Sequence, residues 1–91
     1  MPQYQRLREL LANETFPHVF PFKFVGKLSD PFEAGVRALE TQFPRLVLQS
    51  RRQSKNQKHL SLTYTLEAES AEVIIEILRA IAAISDVLFI L

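Results

Sequence analysis

The sequence predicts an α+β fold, a single layer of antiparallel strands with helices stacked on one face. Three observations predict it. Phe20, Phe22 and Phe24 alternate with other residues at a period of two, as do Leu60, Leu62, Tyr64 and Leu66. Two longer stretches place apolar residues at helical spacing, and the two kinds of stretch interleave along the chain. The 91 residues suffice for one core, since a chain of this size buries roughly 60 to 65% of the surface its unfolded form exposes. Apolar residues make up 47% and charged residues 23%, the balance of a globular domain rather than a disordered chain.

Taken in order, Tyr4, Leu7, Leu10 and Leu11 draw one stripe on a short helix running to about Asn13. From Val19 the period becomes two: Phe20, Phe22 and Phe24 face one way and Pro21, Lys23 and Val25 the other, up to Gly26. Pro21 lacks a backbone donor, so pairing of this strand is expected to begin after it. Asp30 then reads as an N-cap, with Pro31 at the first helical position and Glu33 closing a capping box. Phe32, Val36, Leu39 and Phe43 form the stripe of this helix, Gly35 lies along it, and Pro44 stops it.

Leu46 and Leu48 open a second alternating run, and Leu60 to Glu67 form a third, with Ser61, Thr63 and Thr65 turned away from the leucines. Between them "SKNQK" suits a hairpin turn of four or five residues. Ser70 is the expected cap of a second long helix whose stripe is Val73, Ile74, Ile77, Leu78, Ile81 and Ile84. "VLFIL" closes the chain as a strand apolar on both faces, so its outer face asks for cover. Either the N-terminal helix or a second copy of the protein would supply it.

This order is the ferredoxin-like βαββαβ sandwich, a four-stranded antiparallel sheet with two helices on one face. Residues 1–15 are read as a helical extension and residues 16–91 as the domain. "FPHVFPFKFVG", the helix after it, and the strand leading through "QSKNQKHLSLTYTLEA" to a last helix and strand resemble the YbeD-like family of small uncharacterised bacterial proteins. Phe16, Pro17, Phe20, Lys23 and Gly26 stand at that family's spacing. The family's hairpin usually carries a Lys-Gly turn followed by an aromatic; here Lys55 and Asn56 stand without the glycine, and Gln57 or Lys58 replaces the aromatic. The resemblance implies a fold similar to ACT regulatory domains, no established enzymatic activity, and a link of context to lipoate metabolism.

Charge is concentrated in "QSRRQSKNQKH", Gln49 to His59. Arg51, Arg52, Lys55 and Lys58 supply four positive charges in a chain of net charge +1, which leaves the rest at −3. With no acid inside the segment, the tip is expected to be solvated and mobile. Lys23, Arg51, Arg52, Lys55, Lys58 and His59 are the candidate contacts for an anion or a partner. His59 adds the residue type that gains charge in mild acid.

Other chemistry is poorly supplied. The absence of cysteine excludes disulfides, thiolate nucleophiles and cysteine zinc sites, and fits a reducing compartment. His18, ahead of the first strand, reads as a hydrogen-bonded loop residue, with no ligand partner at metal-binding spacing. No cofactor is expected. The N-terminal stretch lacks an apolar run of seven and nothing approaches the roughly 20 apolar residues of a membrane span, so a cytoplasmic protein without membrane contact is expected. An enzyme of acylphosphatase type is the least favoured reading, because "FKFVGKLSD" holds one glycine and no arginine.

Nucleic acid is a stronger alternative, since RNA recognition motifs share the topology, but those modules stack bases on aromatics projecting from the central strands. Here Tyr64 points inward, leaving only weak phosphate contact through residues 51–58. The reading reached is a non-catalytic interaction or regulatory module for a small anionic ligand or an acidic protein partner, with a homodimer as a further expectation.

Overall fold

In the computed structural model, which describes residues 4–91, seven elements follow in order: α1 (Gln5–Leu11), β1 (His18–Lys27), α2 (Asp30–Gln42), β2 (Val47–Gln53), β3 (His59–Ala68), α3 (Ala71–Ala82) and β4 (Val87–Ile90). The strands form one antiparallel sheet in the order β2-β3-β1-β4, the ferredoxin-like arrangement. Alternation decides the faces. Phe22 pairs with Tyr64 and Phe24 with Leu62, and all four are buried beneath the helices. Their neighbours Lys23 and Thr63 pair on the opposite, open face.

Phe32, Val36 and Leu39 of α2 and Ile74, Ile77 and Ile81 of α3 close the core from above, as the helical spacing of these apolar positions requires. Two close approaches need glycine. A Cβ on Gly26 would run into the ring of Phe32, and one on Gly35 would meet Ile84 Cγ2, so β1 packs tightly against α2 and α2 against the segment just after α3.

Several expectations are corrected. The cap of α2 is Ser29, whose Oγ accepts from the Phe32 N–H at 3.2 Å, so Asp30 is the first helical residue and Pro31 the second. Glu33 consequently closes no box. His18 is the first residue of β1 rather than a loop residue, with its ring edge-on to Phe16. Leu46 precedes β2 and packs against the core from outside the strand.

Pairing of β1 with β3 runs from His18, well before Pro21. The reason is directional. Lys23 presents its carbonyl to the N–H of Leu91, on the β4 side, and residues two apart along a strand share a side. The nitrogen of Pro21 therefore points away from β3, past the end of β4, where no ladder bond is lost.

The N-terminal helix is not the cover for the open sheet face. Arg8 pairs with Glu72 at 2.8 Å, Arg79 stacks over the Tyr4 ring at 5.2 Å, and Leu11 is buried, so α1 lies against α3 in the helical layer. Ile75, absent from the expected stripe of α3, lies between Glu72 and Arg79 on the helix surface and is buried by the same contact. Val87 and Ile90 of β4 turn toward the core, while Leu88, Phe89 and Leu91 stay exposed.

Candidate functional site

The open face is built by three strands and shaped by one irregularity. Between Leu48 and Ser50 the β2–β3 register slips by one residue, making Gln49 a bulge. Before it Leu48 pairs with Tyr64 on the helical side; after it Arg51 pairs with Leu62 on that side and Arg52 with Ser61 on the open face. Without the bulge the two arginines would exchange faces.

The bulge thus divides the cation cluster. Arg51 reaches up to α2 and pairs with Glu33 at 2.8 Å, so the fold brings an acid to a segment that has none in sequence. Beside it the buried Tyr64 donates its phenolic hydrogen to Glu40. Burial pushes the Tyr64 phenol well above its ordinary range, and the hydrogen bond to Glu40 adds to this, with the charge of Arg51 opposing. This network is structural, locking β2 against α2.

On the open face Lys23, Arg52, Lys55 and His59 surround a depression of about 450 Å³ whose lining includes Ser50, Ser61 and Thr63. No carboxylate lines it. Among the described residues the ion pairs are Arg8–Glu72, Arg45–Glu69 and Arg51–Glu33, so Lys23, Arg52 and Lys55 have no acidic partner. Cations without counterions beside uncommitted hydroxyls form a surface that favours anions.

Lys58 falls on the other side of the turn. With Lys27, His59 and Leu88 it lines an adjoining hollow of about 490 Å³. Of the six candidate contacts, the fold gathers Lys23, Arg52, Lys55 and His59 together, sets Lys58 beside them, and commits Arg51 elsewhere. Lys27 is an additional cation that the sequence reading passed over, although it shares the two-residue spacing of Lys23 and Val25 on the open face.

The tip between β2 and β3 is organised by hydrogen bonds rather than left to solvent alone. Ser54 Oγ accepts from the Lys58 and His59 N–H groups at 3.2 and 3.0 Å, and the Gln57 N–H donates to the Ser54 carbonyl at 2.9 Å. Gln57 takes a φ of 58°, the left-handed conformation that glycine adopts freely. Lys55 is carried on this braced turn.

The remaining surface offers less chemistry. At the far end of β3 an apolar notch of about 250 Å³ lies among Phe43, Pro44, Leu66, Val73 and Ile77, rimmed by the exposed Arg45–Glu69 pair. Among the described residues no three His, Asp or Glu side chains gather as metal ligands, and no helix is long and apolar enough to cross a membrane.

Fold and face together define a small ferredoxin-like domain with an uncovered, cation- and hydroxyl-bearing sheet. Residues 12–91 match the family model of a protein of unknown function, DUF493, and the chain belongs to that family, the YbeD-like proteins that its residues resemble. No curated protein and no solved structure matches the chain.

Proposed function

We propose that the protein is a non-catalytic interaction module that takes an anionic ligand or the acidic surface of a partner on its open sheet face. The observation that carries this reading is the set Lys23, Arg52, Lys55 and His59, gathered from three strands and a turn around one depression without a carboxylate. Nucleic acid is the weaker occupant. The middle of the central strands β1 and β3 presents Lys23, Val25, Ser61, Thr63 and Thr65 outward, and the rings on this face, His59 at the start of β3 and Phe89 on β4, are held apart by β1 rather than set side by side as a platform for successive bases. A second copy of the chain, whose exposed Phe89 would lie against this face, is the further candidate that light scattering distinguishes.

Amide chemical shifts of the labelled protein, followed during titration with oligoglutamate and with citrate, test the reading. Shifts confined to β1, β3 and the β2–β3 turn, and weakened in the variant Lys23→Gln, Arg52→Gln, Lys55→Gln, support it. Shifts over α1 to α3, or none, reject it.

A further inference from the structure

We infer that the depression on the open face is a site for a phosphate group, and that its ligand is a small phosphorylated molecule. The inference deepens the open-face reading and rests on it. The register arranges the site as rows across β2, β3 and β1. One row is Arg52, Ser61 and Val25; the next is Ser50, Thr63 and Lys23. Arg52 and Lys23 thus stand at diagonal corners with Ser61 and Thr63 between them. Strand spacing and rise place their Cα atoms roughly 12 Å apart, so both long side chains can bend inward over the same two hydroxyls.

The hydroxyls give an observation independent of the charge. On this face Thr65 is engaged by Gln49 at 2.9 Å, and Ser54 is used by the turn. The side chains of Ser50, Ser61 and Thr63, by contrast, make no hydrogen bond among the described residues and line the depression. Three donors rising from the sheet floor and two cations closing from opposite sides approach a central point from several directions. A phosphate monoester, tetrahedral with three terminal oxygens, accepts from several directions at once. A carboxylate is planar with two oxygens and is satisfied by one arginine fork, so it would occupy Arg52 and leave Lys23 and the hydroxyls on the far side of the depression unused.

Size and rigidity agree with a small ligand. The depression of about 450 Å³ falls in the range of roughly 300 to 1,000 Å³ usual for small-molecule sites. Its walls are sheet and a hydrogen-bonded turn, so little ordering is needed on binding. Val25, apolar at the edge toward Phe89, offers a place for the non-phosphate part of the ligand.

The test compares inorganic pyrophosphate and glucose 6-phosphate with citrate by calorimetry and amide shifts at about 0.15 M salt, a concentration that screens exposed long-range attraction. The phosphates should bind at least tenfold more tightly than citrate and move the amides of Ser50, Ser61 and Thr63. Arg52→Gln and Lys23→Gln should each weaken them about tenfold, the effect of roughly 1.4 kcal/mol. Thr63→Val, which leaves the charge intact, should weaken the phosphates and leave citrate unchanged. Equal binding of citrate and phosphate, or tighter binding of oligoglutamate, overturns the phosphate assignment while the open-face reading stands. Preference for single-stranded RNA over the small phosphates overturns it too. If no anion shifts the open face, both fail.

Discussion

Ser29 Oγ donates to Asp86 Oδ2 at 2.6 Å and accepts from the Phe32 N–H at 3.2 Å, so one hydroxyl both caps α2 and ties it to the loop leading into β4. Asp86 carries a φ of 68°, and its carbonyl accepts from the Lys27 N–H at 2.8 Å. Ser29→Ala should cost about 1 to 2 kcal/mol, the usual loss of a helix cap. Ser29→Asp should also be destabilising, although aspartate is ordinarily a good cap, because it lacks the hydrogen and sets a second carboxylate against Asp86. Urea unfolding in which Ser29→Asp matched the wild type would show that the Asp86 contact is unimportant.

Tyr64 gives the fold an alkaline limit. Its phenol stays protonated in the folded state above the pH at which an unfolded tyrosine ionises, about 10. Below that pH both states hold the proton and the stabilisation is complete; above it the unfolded state binds fewer protons, so stability declines as pH rises. Tyr64→Phe should cost roughly 0.5 to 1.5 kcal/mol at neutral pH and flatten the decline above pH 10. Melting temperatures between pH 8 and 11 for the two proteins check this.

Gly26→Ala should destabilise by about 1 to 3 kcal/mol, the penalty of overpacking against the immobile ring of Phe32. Phe32→Leu, destabilising alone, should cost less in the Gly26→Ala background because the smaller side chain gives the new methyl room. A double-mutant cycle reads this coupling directly, and additive losses would place the clash elsewhere.

The docking of α1 rests on Leu11 and on Arg8–Glu72. Leu11→Ala should cost about 2 to 4 kcal/mol if the helix undocks only in part, and removing residues 1–13 should expose Ile75 and lower stability without uncovering the sheet. The Arg8 guanidinium holds the Glu72 carboxyl below its ordinary range. Its contribution is therefore present above the unfolded carboxyl's pKa and lost as pH falls through the lower, folded one. Protection factors of the α1 amides, taken relative to the intrinsic exchange rate at each pH, should therefore fall in acid, and fall less in Glu72→Gln.

Legibility differed by the kind of signal. Phe22, Phe24, Leu62 and Tyr64 announced their strands because burial on one face of a pleated sheet leaves a period of two in the sequence. Ile74, Ile77 and Ile81 did the same for a helix. The bulge at Gln49 left no such mark: it contains neither glycine nor proline, and only the partner strand reveals the slip. Since that slip decides which of Arg51 and Arg52 reaches the open face, the composition of the candidate site was not readable from charge spacing. Ser29 and Asp30 are both good caps side by side, and the choice between them was made by Asp86, 57 positions away in the chain. The packing of α1 on α3 instead of on the sheet likewise follows from Glu72 and Arg79, distant partners that local periodicity does not name.

The position of Pro21 also bears on how this sheet meets other chains. Because the C-terminal segment pairs with β1 only from Lys23 to Lys27, the first half of a central strand is unpaired along one side, the arrangement that ordinarily invites an extended segment to add itself and seed aggregates. Pro21 removes a donor from the middle of that side, and at the opposite margin of the sheet the bulge at Gln49 breaks the regular ladder a neighbouring strand would need. Both of these stretches thus resist strand addition, which leaves only the four-residue outer edge of β4 as a ladder and favours contact through the face as the route by which the folded sheet engages a partner.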